Sequence, residues 1–273
     1  MKHNRDYHVM PVSVNRRMVA ASATVGREHN TIHTFTEVDI SAPRRRMREH
    51  HARTRESLSL TAYVVACLAR TVAENPIFNA LRKGGRLFLL DDVTISVPVE
   101  REIGGQSVPD MLAVRAAGTK TYHQIHNELR AAQQQPDSPL GSLSGMTWLF
   151  RLIPPFLFTT FVRMAARNVG MARRYGVVGV TAVGMFGPSP MWIVPLSGAT
   201  VLVGVGSIVE RPVCINGRFE AHEHLCLTLS FDHDIIDGAP AARFTKRFAE
   251  LLMSGDMLCD SEPALTTPDG RMA

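Results

Sequence analysis

The chain has 273 residues, 45% of them apolar and 20% charged, a balance that suits one large packed domain and excludes a disordered or fibrous chain. Lys and Arg total 30 against 25 Asp and Glu, a net charge of +5, which makes acidic or phosphorylated partners easier to attract than basic ones. Cys67, Cys214, Cys226 and Cys259 have neither metal-ligand nor paired redox spacing, and there is no charged-then-apolar leader with a small-residue cleavage site, so a cytoplasmic setting is expected rather than a secreted disulfide scaffold.

Met1 to Met10 are mostly polar and predict a flexible segment 1–10 ahead of a single domain over 11–253. A strand is expected near 33–41 and helices near 42–54 and 59–75. The first of these helices carries the densest charge, Arg44, Arg45, Arg46, Arg48, Arg53 and Arg55. It has no interleaved aromatic residues, so a solvated face is expected and nucleic-acid binding is not. A strand near 93–100 and a helix near 119–134 precede a loop at Pro136-Asp-Ser-Pro139.

Next comes an apolar stretch, Met146 to Met164, interrupted by Arg151, Pro154, Pro155 and Arg163. A bilayer span needs about 20 apolar residues. A span is therefore not expected, peripheral membrane contact is disfavoured, and an oligomer-facing or channel-lining element is the favoured reading. Strands dominate 177–232, a last helix is expected over 240–253, and 254–273 reads as a loose tail. The mixture predicts an α/β fold of two layers. His222 and His224 share a face of their strand, but no third ligand has convincing spacing, so no metal is expected there or at His50 and His51.

The most informative stretch runs from Ser230 to Phe244. Leu225, Leu227, Leu229 and Phe231 alternate with Cys226, Thr228, Ser230 and Asp232, the period of a half-buried strand. If that strand stays regular, His233 continues its apolar face and points inward. Gly238 and Pro240 mark a turn and a first helical turn, after which Phe244, Phe248, Leu251 and Leu252 recur at helical spacing. By spacing alone, a histidine on an apolar face such as His233 is more often a core residue, and Asp237 could simply cap the helix.

The full string, with His233, Asp237 and Gly238 in a His-x-x-x-Asp-Gly core, resembles the active-site segment of the catalytic domain of the dihydrolipoyl acyltransferases of 2-oxoacid dehydrogenase complexes. Chloramphenicol acetyltransferase shares the shorter core. Other stations resemble the family in the same order: Pro11 to Ala20, Phe35 to Ile40, Ser59 to Ala69 with Asn75-Pro76, Val180 to Gly187, and Val203 to Val213. The similarity spans roughly residues 10 to 253, nearly the whole chain. It implies a chloramphenicol-acetyltransferase-like fold, a mixed sheet covered by helices.

The resemblance also implies a chemistry. A free thiol, with a pKa of about 8.5, is mostly protonated at neutral pH and needs a base to attack a thioester. His233 would be that base, taking the proton from the thiol of coenzyme A or dihydrolipoamide and returning it to the leaving sulfur. Thr181 aligns with the loop serine that stabilises the oxyanion, a contribution of about 3 kcal/mol from one preorganised donor. Asp237 would organise the site by pairing with Arg16, with Arg17 as the fallback, and Gly238 completes the motif. The implied assembly is a homotrimer with His233 from one chain and the Thr181 loop from its neighbour, a larger assembly being left open.

Three departures qualify this picture. Asp234 stands where many relatives have arginine, placing an anion beside the site. No lipoylation hairpin or long linker is seen, so a lipoyl group would come from another protein, with 2-oxoacid dehydrogenase components as further expected partners. The apolar stretch is richer in apolar residues than the family leads one to expect and suggests a hydrophobic acyl donor or acceptor. The leading expectation is an acyltransferase working between coenzyme A and a dihydrolipoamide-type thiol, without metal. An O-acetyltransferase of a small molecule and a non-catalytic trimeric scaffold are the alternatives.

Overall fold

A computed structural model of the chain describes residues 8, 12, 14–103, 106–134, 154–183, 189–196 and 198–261. The expected segment 1–10, the 136–142 loop, the first half of the apolar stretch and Gly184 to Gly187 fall largely or wholly outside the described residues. The described chain opens with α1 (Val14–Gly26), β1 (Thr31–Asp39), α2 (Ser41–Thr54) and α3 (Leu60–Glu74). A short hairpin, β2 (Ala80–Lys83) and β3 (Arg86–Leu89), leads to a longer one, β4 (Ile95–Ile103) and β5 (Gln106–Val114), and then to α4 (Tyr122–Gln134). After the undescribed stretch come α5 (Pro155–Ala166), α6 (Val169–Tyr175), β6 (Val178–Ala182), β7 (Val201–Ile215), β8 (Arg218–Asp232) and α7 (Gly238–Ser254).

Six strands form one mixed sheet in the order β1-β8-β7-β6-β4-β5. β6 runs parallel to both β4 and β7, and the remaining pairs are antiparallel. Helices cover it, giving the two-layer α/β sandwich that the element pattern and the family resemblance implied. The central helix is α3, which is apolar nearly all round and buried from Ala62 to Ala69, as a helix enclosed by other elements must be. Ser59 caps it, its hydroxyl accepting from the Ala62 N–H at 3.2 Å. The Tyr63 hydroxyl donates to the Leu252 carbonyl at 2.9 Å and accepts from the Gly255 N–H at 3.1 Å, fastening α3 to the end of α7.

Phe244, Phe248 and Leu252 are one turn apart along α7 and wholly buried. Phe78 stacks on Phe244 at 4.2 Å, and Phe231 meets both rings edge-on at 5.9 and 5.7 Å. This cluster lies directly beneath the turn from β8 to α7. Gly255, at φ 73, ends α7, and Asp256–Ser261 form a 3-10 turn with Met257 and Leu258 packed against the core. The described chain thus continues through a 3-10 turn to Ser261.

Several elements differ from the sequence expectation. β1 ends at Asp39 because the Ile40 N–H donates to the Glu223 carbonyl and the chain turns at once into α2. In α2 the arginines do lie on a solvated face, with Arg44 and Arg48 reaching Glu223 at 3.3 and 2.6 Å while Pro43 and Met47 turn inward. The described part of the apolar stretch is α5. It packs on α1 through buried Phe158, with the Arg17 guanidinium 5.6 Å from that ring's centre and Arg163 donating to Glu28 at 2.9 Å. Among the described residues, no helix is long and apolar enough to cross a membrane.

The segment after β6 returns across the sheet over β7. There the Ser207 hydroxyl donates to the Ser189 carbonyl at 2.8 Å and accepts from the Met191 N–H at 2.8 Å, beside a bulge between Val205 and Ile208. The close approach requires glycine: a Cβ on Gly206 would lie 1.9 Å from the Met191 carbonyl oxygen. Gly206→Ala must therefore push backbone aside, and it is expected to lower stability by about 3 kcal/mol. Urea denaturation of wild type and variant checks this, and an unchanged midpoint would show that the segment does not cross β7 so closely.

Candidate active site

Strand β8 runs buried through Phe231 and Asp232 and then breaks, so that His233, Asp234 and Ile235 form a turn. His233 is exposed. The expectation that it points inward assumed a regular strand, and the strand's last residue is Asp232. The buried position belongs to Asp232, whose carboxylate folds the turn over itself by accepting from the Asp234 N–H at 3.0 Å. His233 is held by its backbone, its N–H donating to the Asn30 carbonyl at 2.7 Å.

The segment between α1 and β1 is the clamp on this turn. Asn30 also donates from its side chain to Asp234 Oδ1 at 3.0 Å, and His29 Nδ1 lies 3.0 Å from Asp232 Oδ2. Arg82, from the β2–β3 hairpin, reaches Asp234 Oδ2 at 3.4 Å. Asp234 is therefore part of the clamp. Its negative charge is matched by Arg82 and by an amide donor, which moderates the anionic field that its replacement of the family's arginine suggested. Ser230, two residues before Asp232 on β8, bonds to His33 Nδ1 at 2.8 Å.

Two groups in the clamp have shifted protonation equilibria. The hydrogen bond to Asp232 raises the His29 pKa against the opposing effect of burial. Burial alone would raise that of Asp232, but the hydrogen bonds from His29 and the Asp234 N–H outweigh it and hold the carboxyl below its usual range. They form a charge-assisted pair, with Nε2 of His29 turned toward Gly198, where a Cβ would come within 2.9 Å of it.

Asp237 precedes α7 in an extended conformation, and its side chain accepts no helix N–H. It is exposed and makes no side-chain hydrogen bond or ion pair among the described residues. The expected Asp237–Arg16 pair is thus not formed within the chain, and a solvated carboxylate does not require one. Arg16 lies ten residues before Gly26 on α1, about 15 Å along the axis from the end that feeds the clamp. Gly238 opens α7, and a Cβ there would meet nothing within 4 Å.

Thr181 is half-buried on β6 and lies level with Gly204 on β7 and Thr228 on β8. His233 is five residues past Thr228. At about 3.3 Å per residue along β8 to its end at Asp232 and about 4.8 Å between strands, the Thr181 and Asp232 Cα atoms are roughly 16 Å apart, with His233 on the turn beyond. Side chains of this length do not converge on one reacting atom across that distance. The chain brings His233, Asp237 and Gly238 together at one junction and leaves Thr181 and Arg16 elsewhere. The loop that follows Thr181, Gly184 to Gly187, lies outside the described residues.

Sequence reading missed His29, Asn30, Arg82 and the role of Asp232. Asp232 adjoins the histidine in sequence, but His29 and Asn30 meet it only because β1 pairs with β8, setting Thr31 opposite Asp232, and Arg82 reaches the turn from the separate β2–β3 hairpin. His222, read as one of two imidazoles on a strand face, bonds to Asp39 at 2.5 Å. Among the described residues, no group of three His, Cys, Asp or Glu side chains could hold a metal ion.

The family described as 2-oxoacid dehydrogenases acyltransferase (catalytic domain) matches residues 4–139 and 174–259. The lipoamide acyltransferase component of the branched-chain alpha-keto acid dehydrogenase complex of Bacillus subtilis is 26% identical over 256 residues, covering 90% of this chain and 52% of that protein. The mitochondrial dihydrolipoyllysine-residue succinyltransferase component of the 2-oxoglutarate dehydrogenase complex of Saccharomyces cerevisiae is 25% identical over 249 residues, covering 88% of this chain and 47% of that one. The chain spans about half the length of such curated relatives. Among solved structures, the cubic core of a pyruvate dehydrogenase multienzyme complex superposes with a TM-score of 0.67 at 19% identity, covering 94% of this chain and 96% of that one. A probable dihydrolipoamide acetyltransferase from Listeria monocytogenes gives 0.66 at 19% identity, with 91% and 95% covered. These structures share the fold.

The His29–Asp232 pair makes a prediction about pH. Because the His29 pKa is raised, its contribution is complete below the unfolded value of 6.5 and is lost as pH rises through the higher folded value. Because the Asp232 pKa is lowered, its contribution is complete above 3.8 and is lost as pH falls through the lower folded value. His29→Gln is therefore expected to cost about 1–2 kcal/mol between about pH 4 and 6.5, and less at alkaline pH. Denaturant unfolding across this range checks it; a cost as large at pH 9 as at pH 5.5 would contradict the charged pair.

Proposed function

Since the chain belongs to the family of 2-oxoacid dehydrogenase acyltransferases by its catalytic domain, we propose that it moves an acyl group between coenzyme A and a dihydrolipoamide-type thiol, with His233 as general base. The observation that carries this reading is the turn at the end of β8. A rigid clamp fixes the backbone of His233 while its imidazole faces outward, where a thiol can reach it. His233 takes the proton as the thiol sulfur attacks the thioester carbonyl. When the tetrahedral intermediate collapses, the C–S bond to the leaving group breaks, and the proton passes to that sulfur. No acyl-enzyme and no metal enter the sequence.

The oxyanion formed in the first step needs a donor, and Thr181 is the hydroxyl we assign to it. Its separation from His233 within one chain supports a site completed by a second copy, consistent with a homotrimer whose sites lie between subunits. The open space at Gly238 and the exposed Asp237 at the same junction support it too, since a neighbour or substrate has room to approach there. Asp237 and Arg16 are then organising groups of the assembled site.

The catalytic unit is the stretch 11–253, extended by the 3-10 turn to Ser261. A lipoyl group would carry the acyl acceptor thiol, with other 2-oxoacid dehydrogenase components as partners and a larger assembly of trimers as a further step. The four cysteines are free thiols, which suits the reducing cytoplasm.

The test is turnover with acyl-coenzyme A thioesters of increasing chain length and dihydrolipoamide, following acyl-dihydrolipoamide by mass spectrometry. Wild type is expected to form product, His233→Ala to lose at least about 10³-fold, and Thr181→Val about 10²-fold. Full activity of His233→Ala would exclude it as the base. Binding of coenzyme A by wild type without any product would point to a different acceptor, such as a small-molecule hydroxyl.

A further inference from the structure

The family match stops at 139 and resumes at 174, so α5 and most of α6 lie outside the pattern shared with the relatives. This stretch has an unusual surface. On α5, Phe156 is 67% exposed, Leu157 49%, Phe161 62% and Met164 69%. Helical spacing spreads these four over about 140° of one side, and buried Phe158, at the edge of that arc, faces α1. Scattered exposed apolar residues need no explanation, but four large ones along one short helix make a contiguous patch.

The stretch that carries this patch is basic in sequence. From Ser138 to Val209 the sequence contains no aspartate or glutamate, while Arg151, Arg163, Arg167, Arg173 and Arg174 fall within it. Arg163 is engaged by Glu28. Arg167, at the C-terminal end of α5, and Arg173 and Arg174 on α6 are exposed and form no ion pair among the described residues, although Arg167 lies near Glu28 and Arg173 and Arg174 share a cleft with Asp91 and Asp92. A second copy docking through this face about a two-fold axis would bring the same arginines together. An anionic surface with an apolar layer beneath would match both features.

We propose that α5 is a docking element for an anionic lipid surface, lying in the plane of the interface with Phe156, Leu157, Phe161 and Met164 inserted and the arginines against headgroups. At 12 residues the helix is about 18 Å long, too short to span a bilayer but suited to lying along one, its apolar face about 5–10 Å deep. This reading does not depend on the acyltransferase assignment.

Flotation of the full chain with vesicles tests it. Vesicles of phosphatidylcholine containing phosphatidylglycerol are expected to carry the protein up, and vesicles of phosphatidylcholine alone are not. The triple variant Phe156→Ser, Phe161→Ser, Met164→Ser should lose flotation while keeping its circular dichroism, since these side chains are mostly exposed. Arg167→Glu and Arg174→Glu should each lower partitioning by at least about fivefold, and high salt should do the same. Failure of wild type to float with the anionic vesicles would overturn the proposal. A triple variant whose mass in solution falls, with no lipid binding by wild type, would also overturn it and show that the face joins copies of this chain.

Discussion

The register of β6, β7 and β8 is the constraint on which the rest depends. Thr181, Gly204 and Thr228 stand in one row, so the hydroxyl on β6 and the histidine beyond the end of β8 are fixed at a distance that no rotamer change can close. Side-chain direction in a sheet alternates strictly, and slipping any of these strands by one residue would turn the buried rows Val201, Val203, Val205 and Leu225, Leu227, Leu229 toward the wrong face. The core thus locks the geometry of the site. What a single chain cannot bring together, a second copy can supply.

The turn bearing His233 is stabilised from three directions. The aromatic cluster of Phe78, Phe231 and Phe244 supports it from below. The α1–β1 connection holds it laterally through His29 and Asn30, and Arg82 from the small hairpin holds Asp234. In this arrangement Asp234 contributes to the scaffold, and the imidazole it flanks is left without an intramolecular hydrogen bond among the described residues. A base in that condition is free to take a proton from a substrate, because no internal partner has to be displaced first.

Much of this was legible in the sequence. The alternation from Leu225 to Phe231 and the helical spacing from Phe244 to Leu252 are local patterns, and both elements stand where those patterns put them. His233, Asp237 and Gly238 share one string, so their proximity required no knowledge of tertiary structure. The clamp was not legible, because His29 and Asp232 are 203 residues apart and meet only through strand pairing. The inward direction expected for His233 failed for a related reason: alternation predicts direction only while a strand continues, and the Asp232 side chain closes a turn instead. α5 was hidden by composition, since an apolar run with two prolines gives no helical period until its packing on α1 defines a buried side.

Mixing two inactive variants tests the central claim, a site shared between copies, most directly. His233→Ala and Thr181→Val are unfolded together, refolded as a mixture and assayed for acyl transfer to dihydrolipoamide beside each variant alone. A shared site predicts that activity returns in the mixture, because some interfaces then join an intact histidine to an intact threonine from the other chain. Activity in the mixture no higher than the mean of the two variants, with mixed oligomers verified by mass spectrometry, would contradict it and place both groups, or a substitute for Thr181, within one chain.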